Sequence, residues 1–227
     1  MTRSRIQMPY AQAGQVERAE AAQDVLTFLR DLHAKQWPQP HQAECAKLLF
    51  VDMCSDIWIE GGRKGGKSYG VIAYCAWRWA GTFPGSCIYY YAPEQKQARE
   101  ILWSPGIIQN FGPSQYLAGP PNNTEMRIRF RNGSMIKLDG SDNFESVRGI
   151  SEAHLFFLDE RRNFKSQFFQ AFDPNRARYR APVVSTSTPP ESEGPYTQDL
   201  TAHLNGMSIE QDGELDRLKT MGGNYLR

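Results

Sequence analysis

Residues 60–70 read "EGGRKGGKSYG", and they follow directly on the apolar run "DIWI" at 56–59. Glycines stand at 61, 62, 65, 66 and 70, with cations at Arg63, Lys64 and Lys67. So much bare backbone and positive charge at the end of a strand suits an anion. The spacing from Gly61 to Ser68 satisfies G-x-x-x-x-G-K-[ST], in which glycines let backbone N–H groups approach phosphate oxygens. The stretch that follows, "KSYGVIAYCAWRWAG", is apolar nearly all round and predicts a buried helix closed by Gly81. Its N-terminus adds a partial positive charge to the loop. A strand, a glycine loop and a buried helix in that order form a phosphate-binding loop. Lys67 would meet the β and γ phosphates of a nucleoside triphosphate, and Ser68 would ligate magnesium.

The rest of the chain fits an α/β protein around that loop. The run "SCIYYYAP" predicts a buried parallel strand, and "EQKQAREILW" returns to helical spacing. Residues 104 to 123 are rich in proline and glycine and predict loop or short helical turns. In "EMRIRFRNGSMIKLDG", Met126, Ile128 and Phe130 alternate with Arg127, Arg129 and Arg131 before Asn132-Gly133, which predicts a β-hairpin interrupting the wound pattern. A buried strand "AHLFFLDE", a short helix "KSQFFQAF" and a strand "APVVSTST" follow.

Upstream, Val16, Ala19, Ala22, Val25, Leu26, Leu29 and Leu32 predict an amphipathic helix within residues 1–35. The chain divides into that helical segment, a core over 36–190, and a weakly periodic lid, linker or tail over 191–227.

Composition sets limits on the partners. The 227 residues carry 40% hydrophobic side chains, 12% aromatics and a net charge of +1, as in an ordinary globular protein. Contact with nucleic acid must therefore come from local patches, and Arg127, Arg129 and Arg131 along one hairpin edge are the candidate. The four cysteines include no C-x-x-C pair, which argues against zinc and against a disulfide framework. No segment reads as a membrane span or secretory signal, so the expectation is a soluble cytoplasmic protein.

Hydrolysis needs more than a phosphate loop. Four apolar residues, Leu155 to Leu158, carry Asp159 and Glu160 to the carboxyl end of a strand, where open α/β sheets bind ligands. Asp159 is assigned to magnesium and Glu160 to orienting or deprotonating water.

In this order the motifs resemble the N-terminal packaging ATPase of the large terminase subunits of tailed phages, over about residues 36–190. "PHQAEC" looks like the family's adenine-side glutamine motif, with Gln42 at the matching position and Trp37 beside it. "GGRKGGKS" carries the extra cations of terminase loops, "ESVRGISEAHLFFLDE" looks like the segment leading into the acidic motif, and "STSTPP" looks like the coupling motif. The resemblance implies a P-loop ATPase fold of the additional-strand, catalytic-glutamate kind. In that fold a mostly parallel sheet is flanked by helices, and the "APVVSTST" strand lies between the acidic strand and the P-loop strand.

The resemblance further implies ATP and Mg2+ as cofactors, and a homo-oligomeric ring that drives double-stranded DNA into a procapsid in the host cytoplasm. The portal protein and small terminase subunit would be its partners. Arg148, Arg63 or Lys64 would stabilise charge on the γ-phosphoryl, with Arg148 the first choice for action across a subunit boundary. Ser185, Thr186 and Ser187 would sense the γ-phosphate. The family's nuclease domain would not fit in the residues after Pro190. Arg161-Arg162 follows the acidic pair where many relatives have a small residue, a departure that would serve an interface or DNA and that this reading does not place. A helicase-like translocase and a nucleotide-gated assembly module are the alternatives.

Overall fold

The computed structural model describes residues 40–62 and 66–188, together with the backbone of 208–212, 215–219 and 223–226. The expected helix within 1–35 lies outside the described residues.

Helix α1 (Pro40–Phe50) leads into β1 (Asp56–Glu60). After the glycine loop comes α2, wound as a π-helix over Lys67–Ala73 and as an α-helix over Tyr74–Thr82. Gly81 thus lies within the helix rather than closing it, and the next backbone N–H, from Phe83, still bonds to the Trp79 carbonyl at 2.9 Å. Then follow β2 (Cys87–Ala92) and α3 (Gln95–Ala98 with Arg99–Trp103). A loop with one short 3-10 turn (Ser114–Tyr116) ends in the hairpin β3 (Arg127–Arg129) and β4 (Met135–Gly140). The chain continues through α4 (Glu145–Arg148), β5 (Leu155–Asp159), α5 (Ser166–Tyr179) and β6 (Val183–Ser187). Three further strands, β7 (Ser208–Asp212), β8 (Leu215–Lys219) and β9 (Gly223–Leu226), come from the stretch read as lid or tail.

The sheet order is β3-β4-β2-β5-β6-β1-β9-β8-β7. From β4 to β9 all neighbours run parallel, and β6 sits between the acidic strand β5 and the P-loop strand β1, as expected. The hairpin is present, with Ile128 opposite Ile136, but it does not interrupt the sheet. Its second strand pairs with β2 in parallel over Cys87–Ala92, so the hairpin is the sheet's own margin.

Two cores follow from period-two alternation. Ile57, Ile88, Tyr90, Leu138, Phe157 and Val184 face α1, α2 and α3. Tyr89, Tyr91, Phe156, Leu158 and Val183 face α4 and α5. In α2, Val71 to Trp77 are all buried, including Trp77, whose indole N–H donates to the Ile108 carbonyl at 2.8 Å. The helix expected over "KSQFFQAF" runs on through Pro174 to Tyr179. There the Asn175 side-chain amide donates to the carbonyls of Ala171 and Val147, tying the proline turn to α4.

Candidate active site

Gly61 leaves β1 while its N–H still donates to the Ser187 carbonyl at 3.1 Å, so the phosphate loop starts from a fixed point beside β6. The chain enters α2 at Gly66, whose φ of 75° is open to glycine and costly for other residues. Gln42, buried on α1, donates its side-chain amide to the Gly66 carbonyl at 3.3 Å. Helix α1 is thereby joined to the glycine loop. Ser68 is half-buried in the first turn of α2. Trp37, Arg63, Lys64 and Gly65 lie outside the described residues.

The Lys67 ammonium donates to the Gly61 carbonyl at 2.6 Å and the Gly62 carbonyl at 3.4 Å, and stands 3.9 Å from Glu160 Oε1. Loop and acidic strand therefore meet at one cation.

Alternation along β5 turns Asp159 toward the α2 side, where it is 4% exposed. The Tyr90 hydroxyl donates to its Oδ2 at 2.9 Å, and the Thr186 hydroxyl donates to its Oδ1. Burial raises the Asp159 pKa above the ordinary carboxylate value, with Glu160 adding to the rise. The two hydroxyl bonds and Lys67 oppose it. Burial, with Asp159 alongside, also holds the Tyr90 phenol well above its usual range, so it remains a neutral donor.

Glu160 adopts the left-handed conformation, φ 51° and ψ 43°, which costs about 1–2 kcal/mol for a side chain with a Cβ. Such a conformation persists where neighbours over-determine it. The Thr188 hydroxyl donates to Glu160 Oε1 at 2.9 Å and the Thr188 N–H to Oε2 at 3.2 Å. Arg162 Nε lies 3.7 Å from Oε2. Beside the two carboxylates, at the ends of β2 and β5, is a cavity of about 210 Å³ that Arg162, Thr188, Pro93 and Gln97 also line.

The expected coupling trio does not act as one row, because neighbouring residues of a strand face opposite sides. Thr186 alone reaches Asp159. Ser185 accepts from Arg161 Nη1 at 3.1 Å and Ser187 accepts the Arg162 N–H at 3.2 Å. Arg148 sits on α4, which packs against α5, and pairs with Glu145 at 2.8 Å. It is not brought to Lys67 or the carboxylates within this subunit. Arg129 and Arg131 are exposed on the hairpin, while Arg127 pairs with Glu125 at 2.7 Å.

Tyr90, Thr188, Arg161 and Arg162 belong to the site although the motifs assigned them no part. Thr188 had a signal as the next hydroxyl after the trio, and Arg161-Arg162 as the departure beside the acidic pair, whereas Tyr90 had none.

The donor set fits magnesium supplied with a nucleotide. Mg2+ prefers hard oxygen ligands and takes one or two from protein, the rest from phosphate and water. Asp159 and Ser68 offer those oxygens, and a dication would offset the burial cost of the carboxylate. Among the described residues no group of three or more His, Cys, Asp or Glu could hold a metal ion. Nor is any helix among them long and apolar enough to cross a membrane.

No family model matches the chain, and no curated protein matches it in sequence. Its fold does match solved structures. One is the large terminase of a thermophilic bacteriophage in complex with ADP, at 12% identity and a TM-score of 0.54, over 65% of this chain and 38% of that one. A mutant of the Thermus phage P74-26 large terminase ATPase domain matches at 15% identity and a TM-score of 0.59, over 84% of this chain and 80% of that one. The N-terminal domain of the DNA packaging ATPase from bacteriophage phi29 matches at 14% identity and a TM-score of 0.52, over 79% and 92% respectively. The chain thus has the fold of phage packaging ATPase domains and spans well under half of the first of these terminases.

Proposed function

We propose that this chain is the ATPase motor domain of a viral large terminase, hydrolysing ATP to move double-stranded DNA into a procapsid. The observation that carries the reading is the meeting of Lys67 with Glu160 at 3.9 Å beside buried Asp159, at the carboxyl ends of β1 and β5. That is the arrangement phosphoryl transfer requires, with a cation for the phosphates, a carboxylate for the metal and a second for water.

In this reading the backbone of residues 61–68 cradles the phosphates. Lys67 exchanges its carbonyl partners for β and γ phosphate oxygens, and Gln42 with Trp37 holds adenine. Ser68 and Asp159 would hold Mg2+, which when bound neutralises charge on the phosphates. Glu160 orients the attacking water and accepts its proton. Thr186, bonded to Asp159, registers loss of the γ-phosphate. Arg148, exposed and away from its own phosphate loop, serves a neighbouring subunit's site in a ring, with Arg63 and Lys64 acting within the subunit. Arg129 and Arg131 meet the DNA backbone. The portal protein and small terminase subunit are the partners, in the host cytoplasm.

The test is Glu160→Gln in the full chain. Nucleotide affinity should stay within about threefold while turnover falls by about 10²-fold or more. An unchanged steady-state rate would remove the assignment. Stimulation by duplex rather than single strands separates packaging from a helicase-like activity.

A further inference from the structure

We infer that Arg161 and Arg162 are positioning residues that fix Glu160 over the cavity, a role that rests on reading Glu160 as the water-orienting carboxylate. The two arginines leave the same short 3-10 turn, Arg161–Asn163, and anchor it in different places.

Arg161 goes to the α5 side of the sheet. Its guanidinium lies 4.1 Å from the Trp58 ring centroid and 4.8 Å from that of Phe169, and Nη1 donates to Ser185. Trp58 is itself fixed, since its indole N–H donates to Asp56 Oδ1 at 3.0 Å and Asp56 Oδ2 pairs with Arg176 of α5 at 2.9 Å. One planar cation therefore links β1, β6 and α5 behind the site. A guanidinium stacks flat between rings in a way an ammonium does not.

Arg162 remains at the cavity. Its N–H donates to the Ser187 hydroxyl, Nη1 donates to the Thr188 carbonyl at 3.1 Å, and Nε lies 3.7 Å from Glu160 Oε2. The turn closes with the Asn163 N–H on the Glu160 carbonyl at 2.9 Å. The Glu160 backbone is thus held by the turn that the two arginines anchor, and its carboxylate by Arg162 together with Thr188, which over-determines its left-handed conformation. Arg161 reaches Glu160 through the turn and Arg162 pairs with its carboxylate, so both act through Glu160.

The experiment measures ATP turnover and affinity for a fluorescent ATP analogue in the full chain. Arg161→Ala and Arg162→Ala should each lower kcat by roughly 10- to 100-fold, the scale of an ångström-sized misplacement, with KM and analogue affinity within about twofold. Arg162→Lys should recover part of the loss by returning a charge near Glu160, whereas Arg161→Lys should not, lacking the flat stack. In a Glu160→Gln background, Arg162→Ala should change the residual rate by less than about twofold.

Unchanged turnover per bound nucleotide in both alanine variants overturns the inference. So does a full loss in the Glu160→Gln background, which would place Arg162 on the phosphate itself. Should Arg161→Ala not fold, Phe169→Leu removes one ring of the stack while keeping apolar volume. A several-fold fall in kcat at constant affinity then supports the role, and wild-type turnover overturns it. Wild-type protein that neither binds nor hydrolyses nucleotide instead removes the ATPase reading, and the inference with it.

Discussion

Thr188 holds both carboxylate oxygens of Glu160, one through its hydroxyl at 2.9 Å and one through its backbone N–H at 3.2 Å. A carboxylate gripped at two points has a defined direction, and that direction is what an attacking water needs. Thr188→Val removes one grip and keeps the shape. Turnover should fall by about 10-fold with nucleotide affinity unchanged, while Thr188→Ser stays near wild type. Steady-state kinetics on the three proteins checks this, and equal rates would show the hydroxyl to be dispensable.

Asp159 carries a cost that a substitution can reveal. Its pKa is raised mainly by burial, so the folded protein binds that proton more tightly than the unfolded chain, whose value is about 3.9. The group's contribution to stability is complete below that ordinary value and is lost as pH rises through the raised one. At neutral pH the buried charge is a standing penalty. Asp159→Asn should therefore raise the melting temperature of the nucleotide-free protein, by about 2–4 °C for each kcal/mol of penalty removed in a chain of this size. It should also flatten the fall in stability above about pH 4 and abolish magnesium-dependent turnover. A lower melting temperature would mean that the carboxylate's hydroxyl bonds outweigh its burial.

Gly66 joins Gln42 to the loop, and the junction tolerates little change. A Cβ there would collide with the Gln42 amide nitrogen, and φ of 75° would be strained for alanine. Gly66→Ala should cost about 1–2 kcal/mol from the backbone, plus whatever moving Gln42 adds. Because the colliding atom ends a flexible side chain, adding Gln42→Ala should relieve the second part and leave the first. Urea unfolding of the single and double variants separates them.

The hairpin arginines differ in readiness for phosphate. Arg129 and Arg131 are exposed, whereas Arg127 is engaged by Glu125 at 2.7 Å. Alanine at Arg129 or Arg131 should each reduce the slope of log K against log salt for duplex DNA by about 0.9, and alanine at Arg127 by less. Identical slopes in all three variants would place the DNA elsewhere.

Hydrophobic period made most of the core legible. The runs around Ile57, Tyr90 and Phe157 read as buried strands because each is continuous and apolar, and α2 read as buried for the same reason. Tertiary register was not legible. Tyr90 and Asp159 are 69 positions apart and meet only because β2 and β5 are neighbours. The split of Ser185 and Ser187 from Thr186 was, by contrast, implicit in a strand's alternation. Arg161 gave no local sign that its partners would be two rings from distant elements. Helix α5 outruns the expected "KSQFFQAF" through Pro174, a residue that usually ends a helix, and the Asn175 bonds that brace this turn depend in part on α4.

Helix α2 is backed from more than one direction. Packed by the sheet beneath and by the 104–123 loop at Trp77, it gives the glycine loop at its N-terminus a fixed support, an anvil for the motor proposed above. In that motor the moving part would lie across the cleft, in the turn after Glu160.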